Sequence, residues 1–226
     1  MKRKERIYNR LILVGNGFDL ALGMKTSYND FLLWYLKSII LQSINLAKHI
    51  TDSSSNTKYF YYENEISKVY WKQNFNRSTM PSFIERFDTL AKLQEQLKKK
   101  ENIIINTSPS LLFKTIYDAS INNWIDLEST YYDLLKKHIS RRDVVVKLNN
   151  DFSFVKKQLE IYLTSLEIPY FQDLQETTFF SEQLFDSVKD DELVELNLSE
   201  TAVMGDIYFL NFNYTESLKK ILESAN

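Results

Sequence analysis

The first apolar segment of the chain is the unbroken run Leu11-Ile12-Leu13-Val14. It predicts a β-strand over Arg10–Val14, central in a sheet because both of its faces are apolar. Phe18–Leu22 has room for one or two helical turns before Gly23, whose freedom at positive φ suits a helix stop. Ser27 stands three residues before Asp30, a capping-box-like start for a helix Tyr28–Lys48. That helix is apolar nearly all round, with Phe31-Leu32-Leu33-Trp34-Tyr35-Leu36 and then Ile39-Ile40-Leu41, which predicts burial on several sides.

Thr51–Thr57 is polar and reads as a loop, and Tyr59–Tyr70 is dense in tyrosine. Ile84, Phe87, Leu90, Leu93 and Leu97 recur at three and four, as in a single helix ending at Lys98-Lys99-Lys100. The lysine run there is a solvated helix C-terminus favoured by the macrodipole. Ile103–Ile105 is a short β-branched run. A helix Ile121–Ile139 follows from Ile121, Trp124, Ile125, Tyr131, Tyr132, Leu135 and Ile139. Asp143–Leu148 fits either a strand or a helix extension. Phe152, Val155, Leu159, Tyr162, Leu163 and Leu166 then predict another helix closed by Pro169. Tyr170–Val188 has no assignment, and Leu193–Leu198 alternates like a strand. Ile207–Phe212 reads as a second buried strand, with Thr215 as N-cap of a closing helix Glu216–Ser224.

One strand near each end with a long helical stretch between them indicates an α/β protein. A single domain is expected, with residues 1–30 and 200–226 forming its core and 31–190 a mainly helical insert. The 226 residues are 44% hydrophobic and 14% aromatic, enough to bury a substantial core. A net charge of −2 with interspersed signs gives no electrostatic case for binding nucleic acid or a membrane surface. The chain has no cysteine, which excludes disulfides and thiolate zinc sites and fits a reducing, cytoplasmic setting. MKRKER begins like a signal peptide, but the apolar run behind it is too short for an export signal or a span.

Three groups of residues carry candidate chemistry. Gly15-Asn16-Gly17, followed by Phe18 and Asp19, forms a strand-to-helix corner able to cradle a phosphate or ribose, or simply a tight turn. It is not the ordinary dinucleotide fingerprint, because the third glycine position of G-x-G-x-x-G is Leu20. Asp19 also competes with an anion for the same N–H groups, and suits a cap or a ribose hydroxyl better. The second group is Asn211-Phe212-Asn213-Tyr214-Thr215, at the end of the second strand, where open α/β sheets bind their ligands. Asn213 can hold water or a ribose hydroxyl through both amide functions; a plain turn and cap is the alternative. The third is Asp126 and Glu128, which point apart on a regular helix and are either solvated carboxylates or auxiliary acid/base groups. His49 and His138 lack metal-ligand spacing, so no metal is expected.

LILVGNGFDLALGMKTSYNDF at the start, WIDLESTY in the middle and NFNYTESL near the end resemble, in that order, the signatures of the AbiH family of bacteriophage abortive-infection proteins. A more distant similarity is to the sirtuin NAD-binding stretch, G-A-G-x-S-x-x-x-G-I-P-D-F-R, whose glycines match Gly15, Gly17 and Gly23. Asn213 matches the asparagine of the sirtuin T-Q-N-x-D block. Asp19 stands where sirtuins have serine, Thr26 where they have aspartate, Tyr28 where they have arginine, and Thr215 where the second block has aspartate. No histidine-glycine block follows Asn213, and no four-cysteine zinc module exists, which argues against protein deacetylation.

These resemblances imply a sirtuin-like, Rossmann-type parallel sheet with a large helical insertion; either the chain is a shortened member missing its C-terminal part, which the few strand candidates favour, or the site works differently. They imply NAD as ligand or substrate, hydrolysed at the nicotinamide–ribose bond. Gly15, Asn16, Gly17, Phe18, Asp19, Thr26, Tyr28, Asn211, Tyr214 and Thr215 would bind it. Asn213 would be catalytic, with Asp126 or Glu128 assisting. A phage-derived trigger is the implied partner, homo-oligomerisation is compatible with this, and no membrane or nucleic-acid partner is expected. The competing class is a non-catalytic phage sensor or interaction protein with a vestigial nucleotide corner. Nuclease activity lacks a clustered acidic metal motif and a basic face.

Overall fold

The computed structural model describes residues 6–51, 58–72, 77–99, 103–120, 126–168, 202–213 and 215–224. The chain divides into two compact units, a terminal unit of Met1–Lys25 with Leu166–Asn226 and a middle unit of Thr26–Ser165.

The terminal unit contains strand β1 (Arg6–Val14), helix α1 (Asn16–Ala21), strand β6 (Ala202–Asn211) and helix α8 (Ser217–Ser224). β1 and β6 pair in parallel, with Leu11 opposite Tyr208, Leu13 opposite Leu210 and Val14 opposite Asn211. The register shifts between Tyr8 and Arg10. There the Asp206 N–H donates to Asn9 Oδ1 at 3.1 Å. A Cβ on Gly205 would come within 2.6 Å of Asn9 Oδ1 and Ile7 Cγ2, so the close approach requires glycine.

Both strands were expected to be buried, and this is corrected. Val14 is buried, yet Leu11 and Leu13 are 62% and 64% exposed, and Tyr208 and Leu210 lie exposed beside them. The described sheet has only these two strands, so it lacks the flanking strands that make a parallel strand interior. The core of this unit lies instead where Leu22, Met24 and Ile221 pack with Phe18, Leu166 and Ile168.

The middle unit holds α2 (Tyr28–Leu46), β2 (Lys48–Thr51), β3 (Lys58–Glu63), β4 (Lys68–Lys72), α3 (Met80–Glu85), α4 (Leu90–Lys99) and β5 (Ile103–Asn106). It continues with α5 (Leu111–Ser120), α6 (Leu127–His138) and α7 (Arg142–Ser165). Ser27 caps α2 as expected, accepting from the Asp30 N–H and donating to its carboxylate. The fully buried residues of α2, among them Phe31, Leu32, Tyr35, Leu36, Ile39 and Ile40, form one broad stripe. None of the residues from Tyr28 to Ile40 is exposed, as the all-round apolar pattern predicted; only towards the helix end do Leu41 and Leu46 become exposed, Leu46 to 63%.

Four strands in the order β2-β3-β4-β5, antiparallel throughout, are the main departure from a mainly helical insert. Ala47 turns extended, and Lys48 pairs with Tyr61 instead of continuing the helix. Phe60 and Trp71 pair across β3 and β4 with their side chains buried. Trp71 Nε1 donates to Ser43 Oγ at 2.7 Å, tying the sheet to α2. Asn64 Oδ1 accepts from the Ile66 and Ser67 N–H groups, which closes the β3–β4 turn.

The helix expected across Ile84–Leu97 is two helices. Arg86 ends the first, and Thr89 opens the second by accepting the Leu93 N–H through its carbonyl, so the apolar period runs through a break. The helix expected over Ile121–Ile139 begins at Leu127 among the described residues, and Asp143–Leu148 is the first part of α7. Pro169, the alternating Leu193–Leu198, the unassigned Tyr170–Val188 and most of the Thr51–Thr57 loop lie outside the described residues. Among those described, no helix is long and apolar enough to cross a membrane.

Candidate functional site

The strand-to-helix corner folds as its sequence predicts. Val14 ends β1, Gly15 is extended at φ −123° and ψ −176°, and α1 begins at Asn16. The helix stops at Gly23, whose φ is +75° and whose N–H donates to Leu20 O at 3.0 Å. Gly23 therefore has a conformational reason to be glycine, and the other two do not. Gly15 is extended, Gly17 is helical, and a Cβ on either would meet nothing within 4 Å. Their effect is to leave the backbone at the start of α1 bare.

Asp19 is the organising side chain. It lies on α1 and is 1% exposed. Its Oδ1 accepts from Asn213 Nδ2 at 3.2 Å and from Ser217 Oγ through a short bond. Its Oδ2 accepts from Thr215 Oγ1 at 2.7 Å. The Thr215 and Ser217 hydroxyls are themselves 3.0 Å apart. Burying a carboxylate is costly unless it is fully hydrogen-bonded, and three donors from the far end of the chain meet that requirement.

The strand end supplies those donors through two local turns. The Phe212 N–H donates to Val14 O at 2.8 Å, carrying the parallel ladder past β6. The Asn213 N–H donates to Asn211 Oδ1 at 3.0 Å, so Asn211 serves as the turn former. Thr215 was expected to cap a helix beginning at Glu216; α8 begins one residue later, at Ser217, and the Thr215 hydroxyl goes to Asp19. A buried carboxylate outcompetes a cap because it needs the donor more than a helix end near solvent does.

Asn213 is left half-used. A carboxylate only accepts, so the amide nitrogen must face Asp19, and this fixes the orientation of the side chain. Asn213 Oδ1 is then buried without a hydrogen-bond partner. The corner and the strand end thus meet through Asp19, and their meeting presents one oriented, unsatisfied acceptor.

Tyr214 lies outside the described residues. Thr26, Tyr28, Asp126 and Glu128 belong to the middle unit. Thr26 is buried. The Tyr28 hydroxyl donates to both carboxylate oxygens of Glu128, at 2.6 and 2.8 Å. Asp126 is the N-cap of α6 and accepts from the Ser129 N–H at 2.8 Å. Sequence reasoning missed Ser217, which is fully buried against Asp19. The available signal was Asp19 itself: a carboxylate among Phe18, Leu20 and Leu22 requires hydroxyl or amide donors, and Thr215 and Ser217 are the small hydroxyls beside the asparagine motif.

A family model described as "Bacteriophage abortive infection AbiH" matches residues 11–226. No curated protein and no solved structure matches the chain.

Proposed function

The chain belongs to the AbiH family of bacteriophage abortive-infection proteins, and from that premise we propose that it acts in anti-phage defence by binding NAD in its terminal unit and hydrolysing it. The observation that carries this reading is the Asn213 amide. Asp19 holds its nitrogen, and its buried oxygen lacks a donor. A ribose hydroxyl or an attacking water supplies the missing donor. The bare backbone at Gly15 and Gly17 favours close approach of the dinucleotide, as their open Cβ directions allow.

In the proposed reaction the bond between ribose C1′ and the nicotinamide nitrogen breaks, and nicotinamide leaves with the bonding pair. Water oxygen bonds to C1′ and one of its protons is released, giving ADP-ribose and nicotinamide. Asn213 Oδ1 orients the water or the neighbouring hydroxyl, and Asp19 acts as a positioning residue by fixing that amide. Asp126 and Glu128 belong to the middle unit, where each has a task of its own in the Asp126 capping bond and the Tyr28–Glu128 pair. The sirtuin-like character of the core rests on the glycine and asparagine matches.

A specific observation favours a second reading, a non-catalytic sensor. Asp19 is wholly occupied by three donors, as in a structural lock. Asn213→Ala separates the two: an enzyme loses NAD turnover and phage protection together, whereas a sensor keeps protection while it remains folded.

A further inference from the structure

The middle unit carries a cleft of about 380 Å³ lined by Glu65, Asp143, Val146, Lys147, Asn150 and Asp151. Five of the six lie on one stripe of α7, spaced at three and four along the helix; Glu65 comes from the β3–β4 turn. Three carboxylates and one ammonium therefore share the wall.

Asp151 is the unusual member. Its side chain is 3% exposed, and Lys147 Nζ lies 3.2 Å from its Oδ1. Its Oδ2 is buried without a hydrogen-bond partner. An ionised carboxylate has about four acceptor sites, and a buried oxygen left unsatisfied carries a desolvation penalty that a donor would remove. Lys147 is largely exposed and is a single cation among three anions, so it leaves the wall net negative.

Glu65 also lines a neighbouring cavity of about 180 Å³, whose other walls include Gln42, Asn64 and Gln158. Of these, the Gln158 amide oxygen can accept from an ammonium group without adding charge, whereas the Gln42 oxygen already accepts from the Tyr62 hydroxyl and the Asn64 oxygen from the Ile66 and Ser67 N–H groups. An anionic cleft thus opens beside a neutral polar one, with Glu65 common to both. Among the described residues no three carboxylate or histidine groups converge in a way that would hold a metal ion. Carboxylates spread along the cleft wall suit a cation that distributes its N–H donors over several atoms.

We propose that this double cleft binds an aliphatic di- or triamine, with one ammonium on Asp151 and Glu65 and another amine in the annex. Amine binding there does not depend on NAD turnover, since every residue named lies in the middle unit.

The test is isothermal titration of the full chain with putrescine and spermidine at physiological ionic strength, repeated with magnesium chloride. Saturable binding of one amine per chain is expected, with Asp151→Asn and Glu65→Gln each weakening it by about tenfold or more, the loss of a charge-assisted hydrogen bond. Glu223→Gln, on the exposed face of α8, is expected to leave it unchanged. Circular dichroism checks that Asp151→Asn folds; if it does not, Glu65→Gln, at an exposed turn residue, decides. No saturable binding, equal displacement by magnesium, or binding untouched by Glu65→Gln overturns the proposal.

Discussion

Asp19 and Asn213, 194 positions apart in the chain, are joined by a 3.2 Å hydrogen bond that determines which way the asparagine amide faces. The same carboxylate collects the Thr215 and Ser217 hydroxyls. The start of the chain and its last described strand and helix are therefore held by one buried anion, and the unsatisfied Asn213 oxygen is a consequence of that arrangement.

Removing the anion should unfasten the terminal unit. Asp19→Ala leaves two hydroxyls and an amide without their acceptor, at a cost of about 3 kcal/mol or more. Asp19→Asn keeps the shape but places an amide against the Asn213 nitrogen, and is expected to cost less. Urea denaturation of the three proteins checks the order; equal stability would mean that the cluster contributes nothing.

The glycines separate conformational need from ligand access. Gly23→Ala, at a φ of +75°, is expected to lose about 1 kcal/mol. Gly17→Ala lies within α1 and meets nothing, so it should gain about 0.5 kcal/mol in stability. If the bare backbone serves NAD, Gly15→Ala and Gly17→Ala nevertheless weaken NAD binding. Thermal melts paired with NAD titrations read both effects on the same samples.

In the middle unit, Ser43→Ala deprives the buried Trp71 Nε1 of its acceptor. A loss of about 1–3 kcal/mol is expected, with a change in tryptophan fluorescence before global unfolding. An unaltered unfolding curve would show that the bond is dispensable to the sheet–helix contact.

Alkaline conditions probe the same core. Burial raises the Tyr35 hydroxyl above its ordinary value of 10.0, and burial together with Asp30 does the same for Tyr162. A raised folded pKa favours the protonated form in the folded state. The stabilisation is complete below pH 10 and is lost as pH rises from there towards the folded values. Denaturation midpoints should fall above pH 10, and absorbance of tyrosinate near 295 nm should lag behind that of a denatured control. Titration of all tyrosines at their ordinary value contradicts this.

The sequence was most legible where local rules act alone. The Gly15 corner, the stop at Gly23 and the Ser27 cap on Asp30 each depend on neighbours within a few residues, and each forms as read. The β2–β5 sheet was not legible, because Tyr59–Tyr70 hides a two-residue alternation under tyrosines on both faces; Phe60 and Trp71 are inward while the Tyr61 and Tyr70 rings meet at a tilt with centroids 5.3 Å apart. The break at Thr89 was concealed by an apolar period that continues through it. At the site, Asn213 and Asp19 were identifiable singly, but their bond and the part played by Ser217 depend on a contact between distant segments that no local pattern encodes.

The most direct test of the central claim is quantification of nicotinamide released from NAD by the purified full chain, with and without extract of phage-infected cells. Asn213→Ala of matched melting temperature is assayed beside it. The account predicts nicotinamide and ADP-ribose in equal amounts from the wild type, with release reduced by about 100-fold in Asn213→Ala. Absence of nicotinamide under both conditions, or release unaffected by Asn213→Ala, would contradict it.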